Sequence, residues 1–218
     1  MIAGGASPTR AAAGVVALHG RAGSGADILG LLAVAGLPDV AGLAPEAPGR
    51  SWWPTSFLAP MAQMEPFAAA GVVAAAQAVE RLEAAGLSRG RIWLMGFSQG
   101  ACLALETFAR AGEGLAGVLA FSGGLVGTAD AGTPTPALYG HADKLLAYPG
   151  RREGAQVWLS VHERDPHIPL KRAQDSAAAL RAMGAAGEFQ AHPGAGHGVT
   201  QADVTALRAA LNRPRPPA

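Results

Sequence analysis

The residues best suited to chemistry are a serine, an aspartate and a histidine in separate polar or glycine-rich segments. The serine is Ser98, which lies in Gly96-Phe97-Ser98-Gln99-Gly100, after an apolar run and before a segment of helical periodicity. A strand, a sharp turn and a helix in this order form a nucleophile elbow. The serine backbone is strained in such a turn, and bulkier residues two positions before and after it would collide. Ser98 is therefore the candidate nucleophile.

A serine hydroxyl is nearly inert at neutral pH, so it needs a base, and the base needs a carboxylate that orients it. His197 lies in the glycine-rich segment 193–198, and Asp165 lies in the segment 162–169. The order Ser98, Asp165, His197 is the order found in α/β-hydrolases. We predict that Ser98 attacks an acyl carbon, that His197 transfers its proton, and that Asp165 orients His197.

Other residues remain as alternatives for the base and for the carboxylate. Asp143 also follows a short apolar segment. A histidine outside such a constellation is more often structural than catalytic. The alternative bases are His19, His141, His162, His167 and His192. Metal-dependent hydrolysis is disfavoured because the sequence contains no His-Glu-x-x-His motif, so we expect neither a metal nor another cofactor.

An acyl-transfer site also needs N–H groups that stabilise an oxyanion. Gln99 follows the nucleophile, and Arg21 lies in the glycine-rich segment 20–25 after the first apolar strand. We predict that the backbone N–H groups of these two residues form the oxyanion hole. The side chain of Arg21 either faces the substrate or is solvated.

The irregular stretch at 51–64 concentrates large apolar side chains, among them Trp52, Trp53 and Phe57. As a functional element it would line an apolar acyl-binding groove, and we take these three aromatic residues as candidate substrate contacts. Core packing and a contact between two copies of the chain remain alternatives.

Apolar runs alternate with segments of helical periodicity along the chain. Strands are predicted at 14–18, 40–43, 91–95, 117–121, 156–161 and 188–191, and helices at 26–35, 66–85, 101–108, 170–183 and 201–211. This alternation predicts an α/β fold, with a mostly parallel sheet covered by helices on both faces. We expect one domain, 1–218, with loose ends at 1–13 and 213–218. Ligand sites in such sheets lie at the carboxyl ends of the strands.

Composition excludes several other classes. The chain has 218 residues, 50% of them hydrophobic and 15% charged, and a formal net charge of +1. Its basic residues are scattered, so nucleic acid is not an expected partner. Its one cysteine, Cys102, cannot form an intrachain disulfide. We find no signal peptide and no run that could span a membrane, so we expect a cytoplasmic protein without stable membrane insertion.

Several motifs together resemble the phospholipase/carboxylesterase family of α/β-hydrolases, which includes the acyl-protein thioesterases. They are Leu18-His19-Gly20-Arg21, Gly96-Phe97-Ser98-Gln99-Gly100-Ala101, Asp165-Pro166-His167-Ile168-Pro169 and Gly196-His197. The resemblance implies the same triad and oxyanion hole. No gap between the predicted elements is long enough for a separate cap domain, so we expect none. Few residues precede the first strand, so we expect a sheet shortened at its N-terminal edge. The Arg21-Ala22-Gly23-Ser24 loop differs from the Leu-Gly-Asp form of eukaryotic thioesterases.

The expected activity is that of a serine carboxylesterase on short- to medium-chain esters, with lysophospholipids as candidate substrates. The partner is then a small-molecule ester, and a homodimer is a further expectation. Three alternatives stay open: an acyl-thioesterase, a dienelactone-type hydrolase, and a hydrolase-fold binding protein without activity. The dienelactone-type enzymes use a cysteine nucleophile, whereas Ser98 occupies the elbow here.

Overall fold

A computed structural model describes residues 1–212 of the chain. Nine strands lie within this described range, and four of the connections between them contain an α-helix. They are β1 (Ile2–Gly5), β2 (Ala13–Leu18), β3 (Val40–Ala44), β4 (Ile92–Phe97), β5 (Gly117–Phe121), β6 (Pro134–Thr135), β7 (His141–Ala142), β8 (Gln156–Arg164) and β9 (Ala186–Ala195).

The part of the chain that the structure describes has five α-helices, of which four connect strands and the fifth follows the last strand. They are α1 (Gly25–Val34), α2 (Met61–Ala84), α3 (Gln99–Ala111), α4 (Leu170–Ala182) and α5 (Gln201–Leu211). Among these described helices, none combines the length and the apolar character needed to cross a bilayer.

The main sheet is mostly parallel, as the alternating pattern predicted. Across residues 1–212 it has seven strands in the order β1-β3-β2-β4-β5-β8-β9. Only β1 runs antiparallel to its neighbour, and the short hairpin β6–β7 lies apart from this sheet. β4 therefore occupies the middle of the sheet, with strands on both sides of it.

Both faces of the sheet are buried. Along β2, Val16 and Leu18 pack into a core shared with α2, α3 and α4, whereas Val15 and Ala17 pack into a second core with α1 and α5. Successive side chains of a strand point to opposite faces, so burial on both faces requires the continuous apolar run seen in the sequence. The predicted α/β architecture, with helices on both faces, is confirmed.

The N-terminal segment is not a loose end, contrary to our prediction. Ile2–Gly5 forms the edge strand β1 and pairs with β3, with Gly4 opposite Gly42. Leu29 of α1 lies over both glycines, and a Cβ at Gly42 would lie 2.5 Å from its Cδ2. A short strand with two glycines lacks the alternation that marks a strand in sequence. Residues 213–218, the other predicted loose end, lie outside the described residues.

Several boundaries also differ from the predicted ones, most of all those of α2 and β9. Helix α2 begins at Met61 and contains Pro66, which we had placed at its start. Proline removes one N–H from a helix, but the affected carbonyl is that of Ala62, and both residues are exposed, so the carbonyl can be hydrated. Strand β9 has ten residues and reaches beyond the predicted 188–191 in both directions.

A buried carboxylate connects α3 to the segment after β5. The side chain of Glu106 is fully buried and accepts hydrogen bonds from Arg110 Nε (2.7 Å), Tyr148 Oη (2.9 Å) and the Val126 N–H (3.2 Å). Burial, together with the neighbouring carboxylate, raises the pKa of Tyr148 and keeps its hydroxyl protonated as a donor. Arg110 also pairs through two bonds with the half-exposed carboxylate of Glu65.

We predict that Glu106→Ala lowers the free energy of unfolding by about 3–5 kcal/mol, since it leaves buried donors without an acceptor. The matched control is Glu65→Ala, which removes the exposed partner of the same arginine and costs at most about 1 kcal/mol. Urea unfolding of the two variants measures the difference. Equal losses would show that burial does not decide the strength of this contact.

Candidate active site

The three predicted catalytic side chains meet at the carboxyl end of the sheet. His197 Nε2 lies 2.8 Å from Ser98 Oγ. On the other side of the imidazole ring, Nδ1 lies 2.8 Å from Oδ2 of Asp165 and 3.0 Å from its Oδ1. Ser98 directly follows β4, and Asp165 directly follows β8. His197 lies two positions beyond the end of β9. One ring thus bridges a hydroxyl and a carboxylate, an arrangement that can carry a proton away from the hydroxyl.

The turn that carries Ser98 is as tight as the glycine pattern predicted. Ser98 has φ 54° and ψ −120°, a conformation that non-glycine residues rarely adopt. A Cβ at Gly96 would lie 2.2 Å from the Gly100 carbonyl oxygen, and a Cβ at Gly100 would lie 1.9 Å from the Leu18 carbonyl oxygen. Only glycine fits at these two positions, so the main chain itself fixes the serine between β4 and α3.

Asp165 is buried and remains ionised because of its hydrogen bonds. Burial by itself would raise the pKa of this carboxyl. The bond with His197 and the bonds from the backbone N–H groups of His167 (2.8 Å) and Ile168 (3.0 Å) outweigh burial and lower the pKa. A carboxylate that accepts several N–H bonds is both ionised and fixed in orientation. It can therefore hold the His197 tautomer with hydrogen on Nδ1.

Asp143 and His19, two of the alternative residues, are engaged elsewhere. Asp143 pairs with Lys171 at 2.8 Å. His19 is buried, with Nδ1 2.8 Å from the Gly20 carbonyl and Nε2 accepting the Ala47 N–H, so both of its nitrogens serve the loop after β2. The ring of His167 does approach the site, edge-on to His197 with 4.8 Å between ring centroids. Within residues 1–212 it makes no hydrogen bond to Ser98.

Two backbone N–H groups next to Ser98 are available to an oxyanion. Gln99 begins α3, and Arg21 lies in the turn after β2. Within residues 1–212 neither of these N–H groups donates a hydrogen bond, whereas the Ser98 N–H is used by the Phe121 carbonyl. The first N–H groups of a helix have no partner inside the helix, and they favour negative charge. This agrees with the placement expected for an oxyanion hole.

The side chain of Gln99 has a second role that the sequence did not reveal. Its amide is buried, with Nε2 donating to the Trp53 carbonyl (2.9 Å) and Oε1 accepting the Trp52 N–H (2.9 Å). The residue after the nucleophile thus fastens the tryptophan segment to the start of α3. No motif at 51–53 marks this contact, because its partners there are main-chain atoms.

A cleft of about 600 Å³ opens over Ser98. Trp53 and Phe57, two of the three predicted substrate contacts, lie in its wall, with Phe97 and Ile168 also lining it. Trp52 does not line it. Its indole N–H donates to the His19 carbonyl (3.0 Å), and its ring packs against the His19 ring.

Most of the large apolar side chains of the stretch at 52–64 are buried rather than exposed: those of Trp52, Trp53, Phe57, Leu58 and Met64. The stretch therefore offers little apolar surface for the contact between copies that we considered.

The site contains one further nucleophilic atom. The thiol of Cys102 lies one helical turn after Ser98 and contributes to the cleft floor. Burial raises the pKa of this thiol to about 12, so it remains protonated. In the described part of the chain, no group of three or more histidine, cysteine or acidic side chains is arranged to hold a metal ion.

The parallel sheet, the serine at a strand-to-helix turn and the histidine after the last strand define an α/β-hydrolase. A solved phospholipase/carboxylesterase from Dyadobacter fermentans is 34% identical, with a TM-score of 0.84 over 97% of this chain and 95% of that one. The family model described as phospholipase/carboxylesterase matches residues 42–149. The chain belongs to the phospholipase/carboxylesterase family.

Two other solved structures are similar over nearly their whole length. Esterase PE8 is 26% identical with a TM-score of 0.70, and the alignment covers 97% of this chain and 96% of PE8. SOBER1 of Arabidopsis thaliana is 18% identical with a TM-score of 0.68, over 92% of this chain and 97% of that one, which supports the fold alone. Among curated proteins, none is similar enough to this chain to count as a match.

We predict that Gly100→Ala destabilises the protein by more than about 3 kcal/mol, because the new methyl group overlaps the Leu18 carbonyl and strains a packed core. Gly30→Ala is the control, since a Cβ there meets no atom within 4 Å on the exposed side of α1. This control should gain up to about 1 kcal/mol from helix propensity. Thermal unfolding compares the two, and a neutral Gly100→Ala would contradict the steric account of the elbow.

Proposed function

We propose that the chain is a serine carboxylesterase that hydrolyses short- to medium-chain carboxylic esters through an acyl-enzyme intermediate. The observation that carries this proposal is the His197 ring, whose two nitrogens lie 2.8 Å from Ser98 Oγ and from Asp165 Oδ2. Membership of a carboxylesterase family agrees with it.

In the first half-reaction Ser98 Oγ attacks the ester carbon while His197 Nε2 removes its proton. The carbonyl oxygen becomes an oxyanion that the backbone N–H groups of Arg21 and Gln99 stabilise. His197 then gives the proton to the leaving alcohol, and the acyl group stays on Ser98. Asp165 stabilises the imidazolium throughout, because its carboxylate is already ionised and hydrogen-bonded.

In the second half-reaction water takes the place of the alcohol. His197 Nε2 removes a proton from water as it attacks the acyl carbon, and the same N–H groups hold the second oxyanion. Collapse of this intermediate returns the proton to Ser98 Oγ and releases the carboxylic acid. No group other than the side chains and main-chain donors of this site enters either step, so the proposed reaction uses no cofactor.

The acyl chain contacts the apolar part of the cleft. Trp53, Phe57 and Ile168 supply this surface, and the cleft volume of about 600 Å³ is in the range of small-molecule sites. The same cleft accepts a thioester, since the attacked carbon and the oxyanion are unchanged. We propose esters as the preferred substrates within this class.

A fluorophosphonate probe is expected to label Ser98, because an activated serine hydroxyl attacks it. Ser98→Ala should abolish labelling and lower kcat by about 10⁴-fold or more, since the residues of a triad act as a unit. Ser88→Ala is the control, because this serine is exposed and its side chain makes no hydrogen bond within residues 1–212. Mass spectrometry locates the label. An unlabelled wild-type protein would support the alternative of a binding protein without activity.

A series of p-nitrophenyl esters tests the acyl preference. We expect kcat/KM to be highest between about two and eight carbons and to fall beyond them, because a longer chain exceeds the apolar wall and gains no further burial. An acyl-CoA series of the same lengths provides the comparison with thioesters. Rates that climb steadily to the longest chains would contradict the proposed substrate range.

A further inference from the structure

Arg21 carries a fixed and unneutralised positive charge in the wall of the cleft. Its Nη1 donates to Ser51 Oγ (3.2 Å) and to the Pro54 carbonyl (3.3 Å), and its Nη2 donates to the Thr55 carbonyl (2.6 Å). All three acceptors are neutral, and Arg21 forms no ion pair within residues 1–212. The guanidinium is therefore held in place without a counter-charge, which is different from a freely solvated arginine.

The rest of the cleft adds no negative charge to balance it. No residue that lines the cleft in the described chain carries a carboxylate at its surface, and Asp165 is buried behind His197. Gln99, the first residue of α3, also lines this cleft, and a helix N-terminus carries partial positive charge. A cleft with charge of one sign concentrates ligands of the opposite sign.

The sheet order decides which part of an ester lies near Arg21. Arg21 follows β2 and His197 follows β9, and these strands lie on opposite sides of β4, which carries Ser98. The leaving alcohol has to lie beside His197, because this residue protonates it. The side of the cleft next to Arg21 is then left for the acyl part of the substrate.

We propose that the preferred substrates are esters whose acyl part ends in a carboxylate, that is, monoesters of short dicarboxylic acids. This inference rests on the proposed esterase function and adds Arg21 as the residue that selects the substrate. The free carboxylate binds the guanidinium N–H groups that the loop carbonyls leave unused. Arg21 is the lone permanent cation among the lining residues that the structure describes, and its single charge matches a carboxylate better than a phosphate dianion.

The chemistry of such a substrate balances without any further reactant. Water cleaves the ester bond, Ser98 is acylated by one end of the diacid and released, and the products are an alcohol and a dicarboxylate. The methylene groups between the two carbonyl carbons pack against Trp53 and Phe57. The distal carboxylate does not take part in bond making, so it should act mainly on KM.

The test compares monomethyl and dimethyl esters of succinic, glutaric and adipic acids, with acid release followed in a pH-stat. Both esters of each pair have the same leaving group and chain length and differ in the distal charge. We expect kcat/KM to be about tenfold higher for the monoester of the best-fitting length, the effect of one charge-assisted hydrogen bond. The preference should shrink as salt is added.

Arg21→Gln should bring the monoester-to-diester ratio close to one, and Arg21→Lys should restore part of it. The ratio is compared within each variant, so any change in the chemical step common to both esters cancels. Arg181→Gln is the matched control, because it removes the same charge from an exposed position at the end of α4. Its ratio should equal that of the wild-type protein.

A measurement on the unchanged protein does not depend on whether the Arg21 variants fold. Succinate should inhibit hydrolysis of p-nitrophenyl butyrate with an inhibition constant about tenfold lower than that of uncharged succinamide. Hydrolysis of the neutral esters without a preference for the monoesters or for succinate would overturn this inference and leave the proposed esterase intact. Failure to hydrolyse any ester would overturn both this inference and the proposed esterase function. A preference for monoesters that persists in Arg21→Gln would show that Arg21 does not select the substrate.

Discussion

The close approach of α3 to the end of β2 is the constraint on which the site depends. At Gly100 the helix backbone comes so near to the Leu18 carbonyl that no side chain fits between them. This contact holds Ser98 at positive φ on a turn between two packed elements, so the serine does not relax into an ordinary conformation. It also brings the loop after β2 beside the first N–H groups of α3. The hydroxyl and the two candidate oxyanion donors therefore have their relative positions set by main-chain packing.

The histidine reaches this turn from a distant strand. Going from β4 to β9 crosses β5 and β8, which at about 4.8 Å per strand is roughly 14 Å. Beyond His197 the chain is fastened at once, since Thr200 and Asp203 form a capping box at α5 and Asp203 accepts the Trp158 indole N–H (2.9 Å).

The features that could be predicted from the sequence are those whose signals lie in neighbouring residues. Apolar periodicity is local, and it located the strands and helices of the main sheet to within a few residues, while the glycine spacing located the elbow. Strand β1 was not predicted because its residues, Ile2–Gly5, carry too few apolar side chains, although its pairing with β3 is regular. The hydrogen bonds of the Gln99 amide and of the Arg21 guanidinium could not be predicted for another reason. Their acceptors are mostly main-chain oxygens more than 30 residues away in the chain, and main-chain atoms are the same for every residue type, so no sequence pattern marks them.

Arg21 and Gln99 each act through two different groups, and this links the proposed oxyanion hole to the cleft wall. The backbone N–H of each is a proposed donor to the oxyanion, while the side chain of each bonds to the segment 51–55. Movement of that segment would pull on the two residues whose N–H groups must stay aligned for the reaction. Conversely, a ligand bound to the Arg21 side chain would restrain the turn that carries its N–H. In the proposed mechanism, substrate recognition and oxyanion stabilisation would therefore be coupled through two residues, which follow the neighbouring strands β2 and β4 of the sheet.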